Sequence, residues 1–163
     1  MSKEFVELLQ RFTAAVESAD FEGFAALFAE DAVYEDGFYG PFRGRAAIAT
    51  MLQDHFWGTA RNFKWEMRSP AHEEKDHTGY AHYFFSYDYF GDKPDGPTKR
   101  IMFEGMSRFD FDGEGQISRY REVFDRGAVV SQIGFSPDRI AKAATNTAAR
   151  LRSSPDAKVH LID

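Results

Sequence analysis

Two carboxylates in this chain are placed where acid–base chemistry is possible. Asp36 closes a short alternating run, residues 32–36, in which Tyr34 and Asp36 share one face and Val33 and Glu35 the other. Glu122 belongs to a longer alternating run, residues 116–125, and lies on one face between Tyr120 and Phe124. A carboxylate beside apolar neighbours is costly to ionise without a partner, so its pKa rises and it can serve as acid or base near neutral pH. If both groups look into one hollow, like charge pushes one of the two pKa values further up. Each also has a plainer reading. Asp36 precedes Gly37, and Asp-Gly is common turn chemistry. Glu122 can be satisfied by an arginine or a tyrosine hydroxyl, or stand solvated on an edge-like strand.

The phenols of Tyr34, Tyr83, Tyr87 and Tyr120 are candidates to orient a substrate oxygen, although aromatic packing alone also accounts for them. Trp57, just before Gly58, reads either as part of an entrance or as packing at a helix end. His55, His72, His77 and His82 show no paired helical spacing and no adjacent cysteine, which argues against a metal site. Arg119, Arg121, Asp125 and Arg126 form a charged run suited to cross-strand salt bridges or dimer contacts. Gly105 interrupts a strand, which suggests a bend or a close ligand approach.

These residues need elements to position them. Residues 3–18 carry Phe5, Leu8, Leu9, Phe12 and Val16 at helical spacing. Asp20 is a predicted N-cap for a short second helix carrying Phe21, Phe24, Leu27 and Phe28. The first strand follows, and then a loop over 37–45, read as such from three glycines and a proline. A third helix spans about 45–57. Strands are expected over 62–68, 80–90, 100–111 and 116–125, and the turns at 91–97 and 112–115 make the last three an antiparallel meander. Ser136-Pro137 opens a closing helix over about 137–152. From Ser153 a loosely held tail is expected. The order of helices first and meander after is that of an α+β fold.

Composition narrows the class. The 163 residues suit a single domain, assigned to 1–152 with the tail at 153–163. A net charge of −6, with Lys and Arg scattered among acids, lacks the footprint of a nucleic-acid binder. No cysteine is present, which removes disulfides and thiolate nucleophiles. The opening MSKEFVELLQRF lacks signal-peptide features and no apolar run is long enough for a membrane span, so a cytoplasmic location is expected. The 17 Phe, 7 Tyr and 2 Trp exceed what a plain core needs; they suit a ring-lined cavity, a sheet face buried in a dimer, or both.

Three stretches in order, FTAAVESADFEGFAALFAEDAVYED (12–36), PFRGRAAIATML (41–52) and SRFDFDGEGQISRYREVFD (107–125), resemble the nuclear transport factor 2-like superfamily. They are most similar to its SnoaL-like and ketosteroid-isomerase-like branches. The resemblance implies a curved antiparallel sheet that packs with N-terminal helices into a cone enclosing a pocket, a cystatin-like topology. It gives Asp36 the place of the isomerases' general base. The positions of their oxyanion donors and supporting tyrosine hold Phe12, Ser107 and Leu52, which argues against steroid isomerisation. It turns Ser118, Tyr120, Glu122 and Phe124, Phe103, Gly105 and Ser107, and Ala81, Tyr83, Phe85 and Tyr87 inward. His82 would reach the pocket only if those faces were inverted. The expected site is therefore Asp36 and Glu122 as catalytic pair, with Phe12, Tyr34, Trp57, Tyr83, Tyr87, Ser107, Tyr120 and Phe124 around a small apolar molecule.

What the resemblance implies in activity is a cofactor-free isomerase, cyclase, dehydratase or hydrolase. The alternative is a non-catalytic ligand-binding or accessory domain, with a homodimer through the outer sheet face in either case. No metal, nucleic acid or membrane is expected as partner.

Overall fold

A computed structural model describes residues 3–161. They divide into two compact units, one ending at Asp125 and one beginning at Arg126. In the first unit, α1 (Lys3–Glu17) buries the predicted stripe of Phe5, Leu8, Leu9, Phe12 and Val16. Asp20 caps α2 (Phe21–Ala25), its side chain accepting the Gly23 amide at 2.9 Å. That helix is shorter than its apolar spacing predicts. Phe28 instead opens β1 (Phe28–Asp36), because parallel pairing with β6 (Ile117–Phe124) draws it into the sheet opposite Ile117.

The segment read as a loop over 37–45 contains a strand, β2 (Gly40–Arg43), antiparallel to β1. Gly40 turns back at φ 98°, a backbone region that glycine occupies without penalty. Pro41 is tolerated because β2 is an edge strand. Helix α3 (Arg45–Met51) runs on into a π-helical turn, Leu52–Trp57. Three further strands, β3 (Ala60–Glu73), β4 (Thr78–Tyr89) and β5 (Lys99–Phe111), complete a six-stranded sheet of order β2-β1-β6-β5-β4-β3. The predicted meander is β4-β5-β6, all antiparallel; among the described residues only the β1–β6 pair is parallel.

Strand β3 extends beyond the expected 62–68. Its register shifts near Asn62 (φ 55°) and Ser69 (φ 47°), two bulges that break the side-chain alternation by which a strand is read. The concave side of the open sheet is filled by rings. Phe12, wholly buried, lies 4.8 Å from Phe24, 5.2 Å from Trp65 and Tyr120, and 5.5 Å from Phe109, centroid to centroid. The outer side leaves Tyr80, Met102, Met106 and Val123 exposed.

In the second unit, α5 (Pro137–Arg152) matches its predicted bounds, and α4 (Arg126–Ile133) was not anticipated. The Arg126 guanidinium donates to Thr147 Oγ1 at 3.3 Å, linking these two helices, and Arg139 stacks over the Phe135 ring at 3.9 Å. The expected loose tail carries an exposed 3₁₀ helix, Pro155–His160; its last two residues lie outside the described ones. Among the described residues no helix is long and apolar enough to cross a membrane.

Candidate functional site

Strand pleating decides what meets on the concave face. In the parallel pair, Tyr34 lies beside Tyr120 and Glu35 beside Arg121. Glu35 points outward, where it forms ion pairs with Arg119 and Arg121. One step further along both strands, Asp36 and Glu122 take the concave face shared by Tyr34 and Tyr120. Neighbouring strands stand about 4.8 Å apart, so the two carboxylates start from adjacent backbone positions on one face. Asp36 is 8% exposed and Glu122 half-buried.

Each carboxylate is held. Asp36 Oδ1 accepts the amides of Phe38 at 2.7 Å and Tyr39 at 2.8 Å, a tight turn that leads into β2. The turn role expected for an Asp before Gly37 is therefore present in full, in addition to any chemical one. Glu122 Oε2 accepts from Tyr120 Oη at 3.3 Å, and Tyr120 Oη is 2.9 Å from Ser107 Oγ. Ser107 faces Glu122 directly across the β5–β6 ladder, so the serine, the phenol and the carboxylate form one hydrogen-bonded row that runs from buried to half-buried.

Tyr83 reaches the same place from β4. It lies opposite Gly105, where a Cβ would come within 2.5 Å of the Tyr83 hydroxyl and 2.7 Å of the Val123 carbonyl. Gly105 thus makes room for a side chain of the protein itself, where a bend or a ligand was expected. Phe103 meets Tyr83 edge-on at 6.1 Å and Phe124 at a tilt at 4.8 Å, and Phe38 meets Phe124 at 5.4 Å. Tyr39 stacks on His55 at 4.2 Å, with Phe42 alongside.

The electrostatics follow from burial beside two acids. Burial pushes the phenols of Tyr34, Tyr83 and Tyr120 well up, and the charge on Glu122 raises all three further. Tyr87 is raised mainly by burial, then by its tyrosine neighbours and by Asp36 and Glu122. Tyr39 is raised by partial burial and by Asp36.

A pH dependence follows from these shifts. At pH below the ordinary phenol value of 10.0 these groups are protonated in both folded and unfolded chains, and their stabilising effect is complete. Above it, the unfolded chain releases protons that the folded chain retains, so stability falls as pH rises. Tyrosinate absorbance from Tyr34, Tyr83 and Tyr120 should therefore appear only together with loss of the near-ultraviolet circular dichroism. Early, non-cooperative ionisation of all seven tyrosines would contradict the burial described.

Of the expected site residues, Asp36, Glu122, Tyr34, Tyr83, Tyr87, Ser107, Tyr120 and Phe124 share the concave face. Phe12 lies beneath them as packing under Tyr120. Trp57 lies apart from the group: its indole N–H donates to the Val16 carbonyl at 3.0 Å and its ring packs on Phe63, tying the helix end to α1. Phe38 and Tyr39 were passed over, although two aromatics directly after Asp36 in a glycine-rich segment were a usable signal. His82 faces outward, 3.1 Å from Glu104, so the inward assignment of Tyr83 and its alternates stands. Among the described residues no group of three or more His, Asp or Glu side chains is arranged to hold a metal ion.

Comparison with solved structures finds the same architecture in other proteins. A proposed polyketide cyclase from Xanthomonas campestris pv. campestris superposes with a TM-score of 0.65 at 22% identity, covering 79% of this chain and 96% of that one. An LEH-like epoxide hydrolase from M. tuberculosis gives 0.61 at 21%, covering 77% and 81%. A ketosteroid-isomerase-like protein from Catenulispora acidiphila, solved with trimethylamine, gives 0.68 at 17%, covering 81% and 95%. Likeness at these identities establishes the fold, one used by small-molecule enzymes. No functionally curated protein matches the sequence. The family pattern of the SnoaL-like domain matches residues 9–120, from within α1 through the Tyr34–Tyr120 pair, and the chain belongs to that family.

Proposed function

We propose that this protein is a cofactor-independent acid–base enzyme acting on a small apolar molecule that carries a carbonyl, hydroxyl or epoxide oxygen. The observation that carries the reading is the placement of Asp36 and Glu122 on adjoining strands of one concave face, beside buried phenols. In such a pair one carboxylate takes a proton from carbon or from water while its partner, in the acid form, returns one to oxygen. Isomerisation, cyclisation, dehydration and epoxide opening all reduce to that exchange. The enzymes found among proteins of this fold, the M. tuberculosis epoxide hydrolase among them, support the same class of chemistry. Steroid isomerisation is disfavoured: Phe12 and Leu52 are apolar and fully buried, and the Ser107 hydroxyl is engaged with Tyr120.

The turn made by Asp36 favours a second reading, in which the same surface binds a ligand without transforming it. Incubation with an aryl epoxide, an enolisable aryl ketone and a β-hydroxy ketone, with products followed by mass spectrometry, separates the two. The enzyme reading expects turnover of at least one class by the wild type and none by the Asp36→Asn, Glu122→Gln double variant. Equal binding by both proteins, with no product from any class, leaves the binding reading in its place.

A further inference from the structure

We infer that the outer face of the sheet binds a second copy of this chain in one register, with β5 antiparallel across β5 and Arg108 meeting Glu104 of the second copy. Side chains alternate along each strand, and the ladder register sorts the outward ones into rows. Arg68, His82, Met106 and Val123 form the middle row. Tyr80, Arg108 and Arg121 form a basic row on one side of it, and Glu66, Phe84 and Glu104 an acidic row on the other. Met106 and Val123, directly opposite one another on two inner strands, are 48% and 65% exposed. An apolar centre ringed by Arg, Tyr and Phe, with no lysine at any of these positions, has the composition of an interface.

A groove of about 320 Å³ lies over the middle and basic rows, lined by Tyr80, Met106, Ser107, Arg108, Arg121 and Val123. Its two guanidiniums stand directly opposite one another across the ladder, where like charges are destabilising. Their own chain offsets this only in part. Arg108 gives its Nε to Asp110 at 2.9 Å. Arg121 has Glu35 at 3.8 Å, but that carboxylate already accepts two hydrogen bonds from Arg119. Exposed pairs of this kind contribute little. The groove therefore suits an apolar side chain standing next to a carboxylate. Phe84 and Glu104, adjacent across the β4–β5 ladder, present that combination on the far side of Met106.

Symmetry then selects the register. The two-fold axis of a face-to-face homodimer lies in the plane of contact, and the same patch serves both copies. An axis along the middle row sets the basic row of each copy on the acidic row of the other. Tyr80 then meets Phe84 and Arg108 meets Glu104, each contact made twice, while Met106 packs on Met106. An axis along the strands sets Arg108 on Arg108 and Glu104 on Glu104, and like charges opposed across an interface are strongly unfavourable. Repulsion in the second arrangement does as much to fix the register as attraction in the first. Arg68, which meets its own copy at the end of the middle row, is matched within its chain by Glu66 at 2.7 Å.

Sedimentation equilibrium of the full chain tests this, and its readout is independent of the acid–base reading. The wild type should sediment as a dimer. Glu104→Arg and Arg108→Glu should each raise the dimer dissociation constant by roughly a hundredfold or more, because each opposes like charges at two symmetry-related contacts. An equimolar mixture of the two variants should recover dimers, since one copy is then basic at both positions and the other acidic at both. No change within a single chain can produce that recovery. Circular dichroism checks that each variant is folded. Should either fail to fold, Met106→Asp, at an exposed position in no ion pair of its own chain, should dissociate the dimer in its place. A monomeric wild type overturns the inference and leaves the face to a different occupant. A dimer that survives these substitutions uses another surface and overturns it as well. Folded variants whose mixture stays monomeric refute the register.

Discussion

Glu122→Gln and Asp36→Asn are each expected to lower turnover by about 10²–10⁴, the range typical of losing one positioned acid or base. Neither should move the melting temperature much, and the reasons differ. A glutamine at 122 keeps an amide oxygen that can accept from Tyr120, so the row through Ser107 persists while the titratable carboxyl is lost. An asparagine at 36 keeps an oxygen for the amides of Phe38 and Tyr39, so the turn into β2 survives. Asp36→Ala is the informative contrast. It removes the one oxygen that accepts both amides and should cost roughly 1–3 kcal/mol on top of the lost activity, about 1 kcal/mol for each hydrogen bond. The checks are kcat on whichever substrate the wild type turns over, and thermal unfolding of all three variants. If Asp36→Asn keeps full turnover and only Asp36→Ala is impaired, Asp36 is a turn former and Glu122 works without it.

The separate fates of these two acids show what sequence patterning could and could not reveal. Alternation placed Tyr34 with Asp36, and Tyr120 with Glu122 and Phe124, because side-chain direction in a pleated strand follows directly from residue count. The same rule located the buried stripe of α1, and local capping chemistry located Asp20 and the closing helix. It failed where tertiary contacts overrule local preference. Gly40 and Pro41 read as loop, yet β1 offers an edge on which even a proline can pair. Phe28 continued a helical spacing, yet the parallel partner Ile117 claims it for the sheet. The bulges of β3 erased the period that would have shown its full length.

Within the site, the residues missed are those whose role depends on distance through space. Nothing local says that Trp57 reaches back to Val16, or that Tyr39 lies over His55. Gly105 was the most legible of the non-local signals: a glycine in a strand asks what occupies its missing side chain, and the answer is the Tyr83 hydroxyl. The hydrogen bond from Tyr120 to Glu122 lies between these cases. Alternation put the two residues on one face, but only the cross-strand position of Ser107 explains how that phenol is engaged from both sides.

Phe12→Ala should be the most damaging single core truncation for the first unit, costing about 3–5 kcal/mol, as expected when a fully buried phenylalanine is cut back to Ala. The magnitude follows from position. Phe12 is completely buried and makes ring contacts with Phe24, Phe28, Trp65, Phe109 and Tyr120, which belong to α2, β1, β3, β5 and β6. Elements this far apart in sequence cannot all close on the space left behind, so the cavity term persists in addition to the lost transfer free energy. Urea unfolding should show a lower midpoint with an unchanged slope, the mark of lost stability with a two-state transition retained. Phe12→Leu, which refills most of the volume, should recover more than half of the loss. The effect also reaches the site, because Phe12 supports the Tyr120 ring whose hydroxyl joins Ser107 to Glu122; a variant that folds should therefore show a mobile Tyr120 ring by nuclear magnetic resonance. A loss below about 1 kcal/mol would fall outside the range for a buried phenylalanine and would mean that the rings around Phe12 pack without it. The floor of the site would then have to be sought in Phe109 and Trp65.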